Sequence, residues 1–191
     1  MKKQGFTLIE LMVVIVIMGI LAAVAVPKLF GMIAKSKASE VGPAAGTYVK
    51  LQDAYASESG TVGLWPAIGY IAPGAKSSSD ATGTTAAFTY SGASTVTVSC
   101  PTGSAKNDAN KCMTTGETPT EVSATGGSVT EGFKATSTAK LNDCVLGTAW
   151  TLDATTQTGV VTYTNKIGGA EFASAAEACK GLTPQFGTIG K

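Results

Sequence analysis

Glu10 is the one ionisable side chain among residues 6–26. The other twenty positions are almost all Leu, Ile, Val, Met, Ala or Phe. A carboxylate in so apolar a stretch is expensive to bury unless a cation or hydrogen-bond donors meet it. Its chemistry is therefore pairing. A chain cut between Gly5 and Phe6 would expose an ammonium group four residues before Glu10. In stacked helices, that ammonium on one copy can neutralise Glu10 of the next and set the register.

The remaining reactive groups are four cysteines, Cys100, Cys112, Cys144 and Cys179, with no CxxC among them. All follow the apolar run. Lys2 and Lys3 before it hold the N-terminus in the cytoplasm by the positive-inside rule, so the cysteines are exported. An even count in an oxidising compartment points to two disulfides. Three connectivities are open. Loop closure favours the short loops Cys100–Cys112 and Cys144–Cys179. A four-thiolate zinc site is the competing reading, and the irregular spacings count against it.

Other catalytic chemistry is scarce. The 191 residues contain no histidine and no arginine, which removes His-based triads, His metal sites and bidentate arginine readout of bases. Asn107, Asp108 and Asn110 place oxygens at short spacing, as calcium loops do, but without EF-hand spacing or a terminal glutamate. A polar turn is the simpler reading. There is no Walker loop, Rossmann glycine pattern or Gly-x-Ser-x-Gly elbow. No enzyme, metal or cofactor is expected, and any assembly motor would be a separate ATPase.

The element that positions Glu10 is a helix. At 1.5 Å per residue, 21 residues reach about 31 Å, roughly one bilayer core. A cleavable secretory signal is the plain alternative, with Ala23-Val24-Ala25 as its cut site and Val26 as the new N-terminus. Glu10 argues against it, because a discarded segment gains nothing from a carboxylate. The helical pattern also continues. Leu29, Phe30 and Ile33 cluster beside Lys28, Lys35 and Lys37, and Val41, Ala45, Tyr48, Leu51 and Tyr55 recur at helical spacing. One helix of about fifty residues is expected, ending at Ser59-Gly60 and weakened at Gly42-Pro43. Gly19 and Pro27 loosen its membrane half, and Gly19, Ala22, Ala23 and Ala25 permit close helix approach.

Residues 60–85 read as a loop region, with Trp65 and its apolar neighbours packed down as core anchors. Residues 87–90 and 95–99 alternate and suggest a hairpin. Residues 101–127 show no period and suggest a disulfide-tied excursion. Residues 144–152 read as a strand, paired with residues 159–163 after a turn through 153–158. Residues 170–180 suggest a short helix ending at Gly181. The expected fold class is α+β: a long N-terminal helix, membrane-spanning in its first half, packed on an antiparallel β-sheet.

The run Lys-Lys-Gln-Gly-Phe-Thr-Leu-Ile-Glu-Leu-Met-Val-Val, continuing to Pro27, resembles the type III leader and N-terminal helix of type IV pilins and pseudopilins. The resemblance implies cleavage after Gly5 by a prepilin peptidase and N-methylation of Phe6. It also implies an assembly role for Glu10 and a helix kink at Pro27, with Gly19 a second kink position by its low helix propensity. It divides the chain into a leader (1–5), a transmembrane and filament-core helix (6–27), and an amphipathic helix half with an extracytoplasmic sheet domain (28–191). The implied function is a structural subunit of a type IV pilus-like homopolymer serving adhesion or twitching. The implied partners are the inner membrane, a prepilin peptidase, an assembly ATPase and a platform protein. The precursor would sit in the cytoplasmic membrane and the product in a surface filament. The alternative is a type II secretion pseudopilin in a periplasmic pseudopilus. A DNA-uptake pilin has little electrostatic support, because removing Lys2 and Lys3 from fourteen lysines leaves twelve against thirteen acids. Dispersed aromatics give no support to an electron-conducting role.

Overall fold

In the computed structural model, which describes residues 5–80, 82–107, 111–116, 118–122 and 124–191, the apolar run forms α1, Leu8–Ala38. Helical backbone continues through both Gly19 and Pro27. The break comes later, at Ser39 and Glu40, before α2, Val41–Ser59. Pro43 accounts for its position. Proline has no N–H, so the Ser39 carbonyl four residues earlier loses its helical donor. α2 ends on Gly60 in the left-handed conformation (φ 73°), which a residue without Cβ adopts at no steric penalty. The expected helix of about fifty residues thus runs from Leu8 to Ser59, interrupted at Ser39 and Glu40, whose backbone stays right-handed helical, beside the weak point at Gly42-Pro43.

α2 buries one face: Val41, Ala45, Tyr48, Gln52 and Ala56 are fully covered. Tyr55 lies at the edge of that face and is half-buried. The chain then forms α3, Trp65–Ile68, whose Trp65 is 4% exposed and donates its indole N–H to the Gly132 carbonyl (2.8 Å). Trp65 is a core anchor.

The sheet against α2 contains β1 (Thr82–Thr84), β2 (Phe88–Ser91) and β3 (Thr97–Ser99). A separate antiparallel trio follows: β4 (Ser104–Lys106), β5 (Cys112–Thr114) and β6 (Glu121–Val122). The main sheet resumes with β7 (Gly126–Ser137), β8 (Ala149–Gln157), β9 (Val160–Ile167) and β10 (Ala170–Glu171). Its order is β1-β2-β7-β8-β9-β10, all antiparallel, with β3 also on β7. This is the α+β fold expected from the sequence.

Several local expectations need correction. β2 and β3 do not form a hairpin. Each pairs with β7, β2 along its C-terminal part and β3 along its N-terminal part. A twelve-residue strand offers more pairing than four- and three-residue strands can offer each other. Cys144 makes only an isolated bridge with Leu141, residues 145–148 are not strand, and β8 runs on to Gln157. Asp153 and Thr155 are the outward members of that alternation, so the connection to β9 shrinks to Thr158 and Gly159. The tail from residue 170 is a short strand, a 3-10 turn and only one helical turn, α4 (Glu177–Lys180), before Gly181.

The core lies between α2 and the sheet. Tyr48, Tyr70, Phe133, Tyr90, Phe88 and Trp150 form a continuous chain of ring contacts. Two tyrosine hydroxyls find partners on α2: Tyr70 donates to the Ala44 carbonyl, and Tyr163 to the Val49 carbonyl and the Asp53 carboxylate. Disulfides join Cys144 to Cys179, fixing the tail, and Cys100 to Cys112, closing the β4–β6 trio.

Candidate functional site

The start of α1 is built by Thr7. Its backbone is extended (φ −82°, ψ 148°), and its hydroxyl oxygen accepts from the Glu10 N–H (3.4 Å). Glu10 reaches back: its Oε2 accepts from the Thr7 N–H (2.8 Å) and the Thr7 hydroxyl (2.6 Å). This reciprocal arrangement is a capping box, and it places the acid at the positive end of the helix dipole. Glu10 therefore has partners within its own chain. The Thr-x-x-Glu spacing carries this signal in the sequence, although the membrane reading of Glu10 passes over it.

Gly5 and Phe6 precede the helix and are exposed, Phe6 to 80%. Phe6, Ile9, Val13 and Val14 surround Glu10 with apolar surface. Gly19 and Pro27 lie further along the same rod. Every large apolar side chain from Phe6 to Ile33 is exposed. The helix is long and apolar enough to cross a membrane. First-turn Glu10 and last-turn Lys35 and Lys37 complement the helix dipole.

A family described as the prokaryotic N-terminal methylation motif matches residues 1–26. Along that helix, the chain is similar to type IV pilins and fimbrial proteins. Fimbrial protein EcpC of Eikenella corrodens is 46% identical over 65 residues, which cover 34% of this chain and 40% of the relative. The type IV major pilin protein PilA of Myxococcus xanthus is 56% identical over 39 residues, 20% of this chain and 18% of the relative. The type IV major fimbrial protein FimA of Dichelobacter nodosus is 56% identical over 39 residues, 20% of this chain and 25% of the relative. The matches thus span two-fifths or less of these pilins' lengths.

The junction between the long helix and the domain is a second built feature, with no sequence motif to announce it. Glu40, at the helix break, accepts from the Thr85 hydroxyl (2.6 Å) and the Tyr90 hydroxyl (3.0 Å) through Oε1. Burial first, then the Glu40 carboxylate, pushes the Tyr90 hydroxyl pKa well above its ordinary value. The helix thereby meets β2 through a charge-assisted contact.

Of the calcium candidates, Asp108 and Asn110 lie outside the described residues. Asn107 donates its backbone N–H to the Lys111 carbonyl (2.9 Å), and its side-chain oxygen accepts from the Lys111 N–H (2.9 Å). Among the described residues, no three metal-ligating side chains come together.

Proposed function

We propose that the protein is a structural subunit of a type IV pilus-like filament. The reading rests on one observation above others. A continuous helix exposes every large apolar side chain from Phe6 to Ile33 beside a domain with its own complete core. Such a surface needs lipid first and other copies of itself later. The roles follow in order. Residues 1–5 are a leader, cut between Gly5 and Phe6 by a prepilin peptidase. Residues 6–27 anchor the precursor in the cytoplasmic membrane. Phe6 is then N-methylated, and residues 6–27 enter the filament core while residues 28–191 remain outside. A separate ATPase and a platform protein drive assembly of the surface filament. Gly19 and Pro27 give the core helix its points of weakness.

Glu10 has two successive partners in this scheme. In the uncut chain its Oε2 is held by Thr7. After cleavage the Phe6 ammonium of a neighbouring copy supplies a full positive charge, which a buried carboxylate requires far more than a neutral cap. The test is N-terminal sequencing of sheared filaments, together with a Glu10→Gln chain. Phe6 as first residue and loss of filaments in Glu10→Gln, with membrane insertion unchanged, is the expected result. A soluble product beginning at Val26 overturns the reading.

A further inference from the structure

The large apolar side chains of α1 stay exposed as far as Ile33, and the next residue, Ala34, is 3% exposed and joins the domain core. The change falls at one level of the rod. Residues 6–26 match a hydrocarbon core of about 30 Å, and residues 27–33 add about 10 Å. The headgroup layer on each side is about 5–8 Å deep. With the span in place, the base of the domain therefore stands within a few ångströms of the lipid surface.

The connection from β7 to β8, residues 138–148, lies at that base. Glu40 at the helix break bonds to Thr85 and Tyr90, Tyr90 pairs with Ala135, and Thr136 pairs with Ala149. This end of the sheet is thus the end from which α1 leaves. At the tip of the connection, Val145 and Leu146 are exposed at 74% and 59%. Both flanks of the tip are held. On one side Leu141 is buried, and Cys144 is buried and bonded to Cys179. On the other, Gly147 donates to the Ser137 carbonyl (3.1 Å), and Thr148 donates its N–H (3.1 Å) and its hydroxyl (2.6 Å) to the Val145 carbonyl. The loop therefore presents two adjacent apolar side chains in a fixed place. Near the same level, Lys28, Lys35 and Lys37 on α1 and Lys140 in the loop form no ion pair among the described residues. Asp143 is the one acid of the loop.

We propose that Val145 and Leu146 enter the headgroup layer of the membrane that α1 spans, while Lys28, Lys35, Lys37 and Lys140 meet the phosphates of anionic lipids. The proposal rests on the membrane-anchored precursor described above and adds a second contact to it, through a loop of the domain. Two side chains are too few for a protein partner, because a stable interface buries about 800 Å² on each side. They suffice for a lipid surface, where a shallow apolar insertion adds to the attraction between lysines and anionic headgroups. The helix holds the loop at that surface, so the second contact forms at high effective concentration. The contact orients the domain, with the opposite end of the sheet, at Gln157 and Val160, turned to solvent.

The experiment uses the full-length chain in lipid vesicles, diluted so that copies do not meet. Leu146→Cys or Val160→Cys carries an environment-sensitive fluorophore on the introduced thiol, the four native cysteines being paired. Brominated lipid is the quencher. Val160 is also exposed, at 69%, but lies at the far end of the sheet. In phosphatidylcholine vesicles containing phosphatidylglycerol, quenching at position 146 is expected to exceed that at position 160 at least threefold. In phosphatidylcholine alone, the excess is expected to shrink at least twofold. Equal quenching at the two positions overturns the docking and leaves the anchored helix intact. An excess that persists unchanged without phosphatidylglycerol overturns the anionic partner. A chain that does not float with the vesicles overturns the membrane anchor itself. A second variant replaces the exposed Lys35, Lys37 and Lys140 by Gln. Its melting temperature is expected to hold and its quenching to match that of neutral vesicles. Quenching equal to the parent chain's overturns the role given to these lysines.

Discussion

Tyr90 donates its hydroxyl to Glu40 across 50 residues of sequence, at 3.0 Å, and so ties the break between the two long helices to the sheet. Thr85 donates to the same oxygen. Removing one neutral donor to a carboxylate typically costs about 1.5–3 kcal/mol. Tyr90→Phe is expected to fall in that range by urea unfolding of the subunit. Glu40→Ala is expected to cost more, because it removes both bonds and strands the Tyr90 hydroxyl, while the Thr85 hydroxyl keeps the Phe88 carbonyl (3.3 Å). A Glu40→Ala chain as stable as the parent would show that the junction is held by packing alone.

Gly132 lies under Tyr48. A Cβ there would stand 2.2 Å from the Tyr48 hydroxyl oxygen and 2.9 Å from a Val129 methyl. Tyr48 is fully buried and has no room to withdraw. Overpacking of this kind costs about 1–3 kcal/mol. Gly132→Ala should destabilise accordingly in thermal melts. Tyr48→Phe removes an oxygen that has no hydrogen-bond partner among the described residues, so it should be close to neutral. The double variant should recover part of the loss, because the next Tyr48 atom is 3.2 Å away. Strict additivity of the two changes would disprove the contact.

The same glycine explains what the sequence conceals. The long helix is legible because hydropathy and helical spacing agree over its whole length. The Cys144-to-Cys179 staple and the β8–β9 pair are legible from loop length and alternation. β7 is not, although it is the central strand. Between Val129 and Phe133 it carries three residues against the single Asp153 on β8, with Glu131 at positive φ (51°). That bulge adds two residues, so Val129 and Phe133 stay on the same buried face, but exposed Thr130 and Glu131 interrupt the apolar alternation between them and leave each half too short to show a period. With β7 unseen, β2 and β3 have no partner but each other, which is how the false hairpin arises. At the candidate site, Glu10 stands out by its charge. Glu40 does not, because Thr85 and Tyr90 reach it only through the fold.

The two disulfides should differ in reach. Cys144–Cys179 closes a 35-residue separation, and Cys100–Cys112 closes 12. Loop entropy alone gives about 4 against about 3 kcal/mol. The larger difference is structural. The Cys144–Cys179 bond holds a tail that supplies Phe186 to the core, whereas the β4–β6 trio pairs only within itself. Replacing Cys144 and Cys179 by Ser should lower global stability by about 4 kcal/mol and release the tail. Replacing Cys100 and Cys112 should mainly raise amide exchange in β4–β6, with a smaller global loss. Equal global losses with no local exchange difference would contradict this division.

Stability should fall steeply on the alkaline side. Burial is the first cause that pushes the hydroxyl pKa of Tyr48, Tyr70, Tyr90 and Tyr163 upward, and the Asp53 hydrogen bond adds to it at Tyr163. Unfolded tyrosines ionise near pH 10. Above that pH the unfolded chain therefore holds fewer protons than the folded one, and unfolding gains as pH rises. Lys166, whose pKa is raised by its hydrogen bond to Asp153, acts in the same direction. The stabilisation is complete below about pH 9 and is lost above about pH 10, with a limiting slope of about 1.4 kcal/mol per pH unit for each tyrosine. Tyr163→Phe should lower stability at neutral pH by removing the Asp53 bond, yet make the alkaline slope shallower by one proton. Urea midpoints measured from pH 8 to pH 11 check both signs, and parallel profiles for the two chains would show that Tyr163 ionises as freely folded as unfolded.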